Sequence, residues 1–481
     1  MKWRGLVAVF VLLILASGIL PVSQVNSSQT KGEQSVIVIL AEFTDLRHRT
    51  SRERIYDLVL VQMNNYFQEA SYGLTWITGD VTERWYTLPR LFSAYGDLTW
   101  SSYGTLNFWK NCQNLMRDAI EAADQEVDFR KYIQVLIVIP EPTIRIVNRG
   151  GDRWNIPTND GVTVNRVTLQ TETSSLGIFA HEMGHSLGLS DLYVHDLAAK
   201  GDSSAIYVGK WDLMSMSSVQ GGFCAYHKIS LGWILPNQVN VIKTGQAKTA
   251  TVDPLEVANQ STYAVKIVVS QFVYYLVEVR QRIGLDSVLP DYGVVIYFVD
   301  EVSRGDGFLF VQDGNPSTLT LDDAAFDLKF GKRSSFFDRK NDISIVIIGR
   351  SELSYMIFVG PAAQGDAVER SVTLGETEKV LATIRAMDEA KASIEKAPAE
   401  GRTESIDKAK SLLANASASF NRGDYDFAIT LAHQAKDLAS RKTALVTYDI
   451  AGLVIIAVAI AVISLKLRRK KRYSQGTLPI A

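Results

Sequence analysis

The run GIFAHEMGHSLGLSDLY, residues 177–193, constrains this chain more than any other stretch. It sets two of the protein's six histidines four residues apart around a glutamate. On an α-helix, positions i and i+4 share a face one turn apart, so a helix here turns the rings of His181 and His185 toward one point. Leu176, Ile178, Phe179 and Ala180 supply the apolar flank of a helix buried beneath a cleft. Gly188, three residues past His185, suits a helix end where the chain turns through positive φ.

Two imidazoles so placed fit a zinc ion, whose bonds to histidine nitrogen run near 2.0–2.1 Å. Glu182 lies beside that face, too close in sequence to chelate with both histidines. It is set to take a proton from a water that the ion polarises, and to return it to a departing amine. The turn at Gly188 brings Asp191 back toward the ion as a third ligand, with the fourth position open; capping the turn is the other role open to Asp191. An aspartate leaves the centre one positive charge poorer than a third histidine would, and the metal a weaker Lewis acid. Asp196, His195 and Asp212 are the remaining candidates for that position.

The ends of the chain speak about location. Lys2 and Arg4, the apolar run Leu6–Leu15 and the small residues Ala16, Ser17 and Gly18 have the layout of a secretory signal peptide, expected over residues 1–24. Ile450 to Leu465 is uninterrupted apolar sequence, and KLRRKKR follows at residues 466–472. A span of about 20 apolar residues crosses a bilayer, and a basic cluster beside it favours the cytoplasmic side. The expectation is a transmembrane helix at 444–467, a cytoplasmic basic tail at 468–481, and everything between signal and span outside the cell. A net charge of −2 gives no reason to expect a nucleic-acid partner. The two cysteines, Cys112 and Cys224, match no zinc-knuckle or redox spacing, which leaves one disulfide or two buried thiols.

At 481 residues the chain exceeds one ordinary core. SVIVILAEF (35–43) and KYIQVLIVIP (131–140) read as buried strands. Between them, residues 51–70 keep Ile55, Leu58, Val59, Met63 and Phe67 on one helical face, and residues 105–124 repeat the pattern with Leu106, Met116 and Ile120. Strand–helix alternation predicts an α/β unit, completed by the HEMGH helix. After residue 245, short strands separated by Gly, Pro, Asp and Asn predict a β-rich, sandwich-like unit. From residue 366 aromatics nearly vanish, and Ala, Glu and Lys build helices with NRGDYD as the last turn, a helical stalk to which no chemistry is assigned.

The pattern H-E-x-x-H-x-x-G-x-x-D, followed by GKWDLMSMSS and GGFCAYHKISLGW, resembles the immune inhibitor A-like metallopeptidases of the metzincin-type zinc group. VIVILAEFTD, NNYFQEASYGLTWITGDVTERWYTLP and YYLVEVRQRIGLDSVLPDYGVVIYFVDE extend the likeness across about residues 35 to 360, the last with an E-x-R-Q and an L-P-x-x-G. The resemblance implies a zincin-like α/β catalytic domain at 33–245 and a β-rich, sandwich-like domain at 246–362; the helical hairpin or stalk at 366–441 and the single transmembrane helix fall outside it and complete the expected α+β architecture. It implies zinc held by His181, His185 and Asp191, Glu182 as general base and acid, and Met214 of WDLMS as the Met-turn floor. Tyr226 is open to two roles, a hydroxyl donor to the developing oxyanion or core packing, and His227 is expected to face solvent.

Three departures stand out. MSMSSVQGG lacks the glycine that often follows the Met-turn serine, Phe298 stands where a histidine is common, and no sizeable pro-segment separates the signal from SVIVIL. The acidic turns QDGNPS and TLDDAAFD admit calcium without EF-hand spacing. The expected function is a membrane-anchored extracellular zinc endopeptidase acting on protein or peptide substrates. The alternative is a cell-surface binding or envelope protein reusing an inactive peptidase fold.

Overall fold

The computed structural model describes residues 30–143, 151, 154–194, 207–303, 308–329, 331–400, 402 and 405–441. The signal peptide, transmembrane and basic-tail segments lie outside these residues, as do His195 and Asp196. Among the described residues no helix is long and apolar enough to cross a membrane.

The first buried runs form a parallel sheet. Strands β1 (Gly32–Glu42), β2 (Thr75–Val81), β3 (Gln134–Ile139) and β4 (Val167–Thr171) lie in the order β2-β1-β3-β4. Because side chains alternate across a strand, each strand divides between two cores. Ile37, Ile39, Val135, Ile137 and Leu169 face the amphipathic helix α3 (Leu106–Ala123), and Cys112 of that helix lies in the same core. Val36, Val38, Leu40, Leu136 and Val138 face the opposite core, which also receives the helices α1 (Arg52–Tyr56), α2 (Met63–Ala70) and α4 (Leu176–Ser186), together with Cys224. Between α1 and α2 the chain stays helical but widens to a π-helix over Asp57–Gln62. The cysteines are both buried free thiols on opposite sides of one sheet, so of the two states the sequence left open the thiols hold.

The second half contains a pair of packed sheets. One contains β5 (Val239–Lys243), β7 (Ala264–Val268), β8 (Val273–Arg280), β9 (Gly293–Asp300) and β10 (Leu309–Val311), in the order β10-β9-β8-β7-β5. The other contains β6 (Lys248–Val252), β11 (Ser335–Asp338), β12 (Ile343–Ser351) and β13 (Ser354–Gly360). Alternation again decides what each strand serves. Tyr275, Val277 and Val279 of β8 point into the sandwich core with Ile345, Tyr355 and Ile357. Tyr274 and Leu276 of the same strand point the other way, into the core that contains Phe179, Met183 and Met214. The sheet thus closes one side of the HEMGH core, and residues up to Val380 form one compact unit.

Residues from Leu381 form a second unit. Here α5 (Ile406–Asn421) and α6 (Tyr425–Ser440) pack against each other around the turn read from NRGDYD.

Candidate metal centre

Helix α4 begins at Ser175, whose hydroxyl accepts the Ile178 N–H, and it ends as the glycine at 188 requires. Gly188 has φ +95°, its N–H bonds the His185 carbonyl at 2.9 Å, and the Leu189 N–H bonds the Gly184 carbonyl at 3.0 Å. This is a Schellman termination, and it reverses the chain within four residues of the second histidine. Asp191 is carried back over the helix face by that reversal.

His181 Nε2 lies 2.9 Å and His185 Nε2 3.3 Å from Asp191 Oδ1. The two rings stand nearly perpendicular, 89° apart. Tetrahedral ligands on zinc bonds of about 2.0–2.1 Å would be separated by roughly 3.3 Å, and both nitrogens stand near that spacing from the Asp191 oxygen, with all three ligand atoms within 4.8 Å of one another. The other ring nitrogens are fixed by backbone. His181 Nδ1 lies 3.1 Å from the Leu213 carbonyl, and His185 Nδ1 lies 2.9 Å from the Leu189 carbonyl. A carbonyl only accepts, so each Nδ1 carries the proton and each Nε2 offers a lone pair to the shared point.

Two further observations test whether a cation fits. Burial alone would lower the His185 pKa, but the Asp191 carboxylate and, more weakly, Glu182 outweigh it and push it up to about 9, so the surroundings of the two Nε2 atoms favour positive charge. Glu182 is buried, and among the described residues its Oε2 has no hydrogen-bond partner. A buried carboxylate oxygen left unmatched is costly unless a ligand completes it. The donor set and the orphaned oxygen both fit a divalent metal with a bound water.

The floor is the segment 211–216. Met214 is fully buried, and its carbonyl accepts the Leu192 N–H at 3.0 Å, beside Asp191. Leu213 supplies the carbonyl that holds His181. An ideal Cβ on Gly184 would lie 2.7 Å from Met214 Sδ, and one on Gly177 would lie 2.0 Å from the Ser217 carbonyl oxygen. The two glycines of α4 therefore let this segment lie directly against the helix.

Several expectations change. Asp212, a fallback ligand from the sequence, is not gathered with the two histidines of the HEMGH helix: its carboxylate accepts N–H bonds from Met214 and Cys224, both at 2.7 Å, and faces His227 Nδ1 at 3.0 Å. His227 is buried, not solvent-facing, because it serves that carboxylate. Tyr226 packs in the core with its ring 5.4 Å from Phe308. A tyrosine that the sequence reading passed over, Tyr193, stacks on His181 at 6.4 Å between ring centroids. Burial and then the charges of Asp191 and Glu182 push its hydroxyl pKa well up, so it stays a proton donor. Its position two residues past Asp191 was the available signal. The acidic turns raised for calcium are internally satisfied: Asp323 accepts from Asn315 and Thr318, and Asp322 pairs with Lys210. Among the described residues, the groups able to gather three metal donors are His181–His185–Asp191 and the Asp212–Cys224–His227 knot.

Residues 143–231 match the family model described as the immune inhibitor A peptidase M6 catalytic domain. Over this segment the chain is similar to the immune inhibitor A metallopeptidases. The match spans the HEMGH helix, its reversal, the floor and the buried knot, which are the parts that build the centre. A search of curated proteins finds no match.

Proposed function

We propose that this metallopeptidase is a zinc endopeptidase, secreted and anchored to the cell surface by its C-terminal apolar segment. The observation that carries the catalytic part is the convergence of His181 Nε2 and His185 Nε2 on Asp191 Oδ1, with both Nδ1 atoms committed to carbonyls. The apolar run 450–465 and the basic cluster after it support the anchor.

His181, His185 and Asp191 would hold the ion. When bound, zinc supplies a Lewis acid that polarises a water and the scissile carbonyl. Glu182, buried beside the ligands with Oε2 available, takes a proton from the attacking water and delivers it to the departing amine nitrogen. Tyr193 donates its hydroxyl proton in a hydrogen bond to the carbonyl oxygen as that oxygen gains charge, the role for which Tyr226 was the sequence candidate. The closed core on the far side of α4 keeps bulk water from the back of the site.

Metal analysis of the purified protein and assays on a peptide library test the reading. It expects about one zinc per chain, chelator-sensitive cleavage within peptides, and a Glu182→Gln variant that retains zinc while losing turnover. A wild-type protein that binds no transition metal, or a Glu182→Gln variant with full activity, would sink it. Zinc binding without cleavage of any peptide would favour the cell-surface binding protein instead. Protease protection of the globular part in intact cells would overturn the assigned location.

A further inference from the structure

The floor of the site is held from outside the matched catalytic segment. Strand β8 carries Glu278 and Arg280 on the face that points toward the HEMGH core, the same side as Tyr274 and Leu276. Arg280 is fully buried, and its Nη1 donates to the Trp211 carbonyl at 2.6 Å, one residue before Asp212. Its Nε and Nη2 fork onto Asp286 Oδ2 at 2.9 and 2.6 Å. The other oxygen of Asp286 accepts the Gly222 N–H at 2.7 Å. The Gly222 carbonyl accepts the Leu213 N–H at 3.3 Å, and the Leu213 carbonyl holds His181 Nδ1 at 3.1 Å. Glu278 completes the brace, accepting the Ala225 N–H at 2.6 Å and the Tyr297 hydroxyl at 2.8 Å.

We propose that Arg280 and Asp286 of the β-rich half are positioning residues for the zinc ligand His181, acting through the Gly222 and Leu213 peptide groups. The inference rests on the zinc reading above. Its physical basis is the rigidity of a planar guanidinium that makes bonds in fixed directions to both a carboxylate and a backbone carbonyl. Gly222 is part of the device, since an ideal Cβ there would come 3.2 Å from Asp286 Oδ1. The consequence is that the β-rich half belongs to the catalytic unit and sets the orientation of an imidazole it never touches.

The experiment compares Arg280→Lys and Asp286→Asn with Val277→Ala, a variant on the same strand whose side chain faces the sandwich core. Asp286→Asn preserves shape, and carries the test if Arg280→Lys does not accumulate. Zinc affinity is measured by chelator competition, kcat and KM on a cleaved peptide, and the His181 Nδ1–H signal by NMR of the metal-free protein. Loss of a hydrogen bond behind a ligand typically lowers metal affinity by about 10–100-fold. The expected result is a loss of that order in both brace variants, a fall in kcat with KM within about twofold, and an Nδ1–H signal broadened by exchange. Val277→Ala should lower stability and move none of these. If both brace variants keep zinc affinity, kcat and the NMR signal within about twofold of Val277→Ala, Arg280 and Asp286 are merely structural and the inference falls alone. A wild-type protein that binds no zinc would remove the zinc reading, and this inference with it.

Discussion

Replacing Gly184 by alanine puts two effects in direct opposition. The residue lies inside helix α4, where alanine is favoured over glycine by about 1 kcal/mol. The added Cβ, however, would stand 2.7 Å from Met214 Sδ, about 1 Å inside ordinary contact. Met214 is fully buried, so its sulfur moves only by repacking against its neighbours. Overpacking of this kind costs about 1–3 kcal/mol, which leaves a net loss of up to about 2 kcal/mol. In a unit this large that is a fall in Tm of only a few degrees, so zinc affinity and urea midpoint are the sharper readouts. The decisive comparison is a double-mutant cycle with Met214→Ala. With the sulfur gone, Gly184→Ala should turn stabilising, by up to the helix-propensity difference of about 1 kcal/mol. The same effect of Gly184→Ala in both backgrounds would refute the packing argument.

Other outcomes follow from the same geometry. Gly177→Ala should be worse than Gly184→Ala in urea midpoint, because the atom it meets is the Ser217 backbone carbonyl at 2.0 Å, which has no rotamer to change. Tyr193→Phe should lower kcat by about 10²–10³-fold with KM little changed, while Tyr226→Phe stays within a few-fold; the reverse ranking would return the oxyanion role to Tyr226. Burial brings the Lys228 pKa down to about 8, below its ordinary value of 10.5, so the folded state releases this proton before the unfolded state does. Its contribution is therefore destabilising below pH 8 and relieved as pH rises from 8 toward 10.5; Lys228→Met should remove that rise from urea-unfolding curves. Reducing agent should leave stability unchanged, since Cys112 and Cys224 are free thiols.

What the sequence made legible was local. The helix, its termination at Gly188 and the return of Asp191 all lie within 17 residues, and each step follows from periodicity or from backbone conformation at one glycine. The strand–helix order and the stalk turn were readable for the same reason. The parts that escaped depend on distant pairing. Arg280 is 69 residues from the Trp211 carbonyl it holds, and Asp286 is 64 residues from Gly222. His227 was assigned to solvent because a lone histidine in a helical pattern carries no sign of the carboxylate 15 residues away. One signal was present: Glu278 and Arg280 interrupt the apolar strand VYYLVEVR at alternating positions, which puts two opposite charges on one face of a strand otherwise built for burial.

The floor segment explains why its neighbours, more than its own side chains, should control the metal. From four consecutive residues come the Trp211 carbonyl bonded by Arg280, the Asp212 carboxylate, the Leu213 carbonyl on His181 and the Met214 carbonyl on Leu192. Three of these four groups are backbone, and backbone bonds survive substitution of the residue that supplies them. A change of Leu213 to another apolar residue leaves its carbonyl in place and should cost packing alone. Changes at Gly222 or Arg280 alter where the backbone itself lies, and the histidine follows it. Positions that fix a peptide plane, although remote from the metal in sequence, therefore rank above apolar side chains nearer to it.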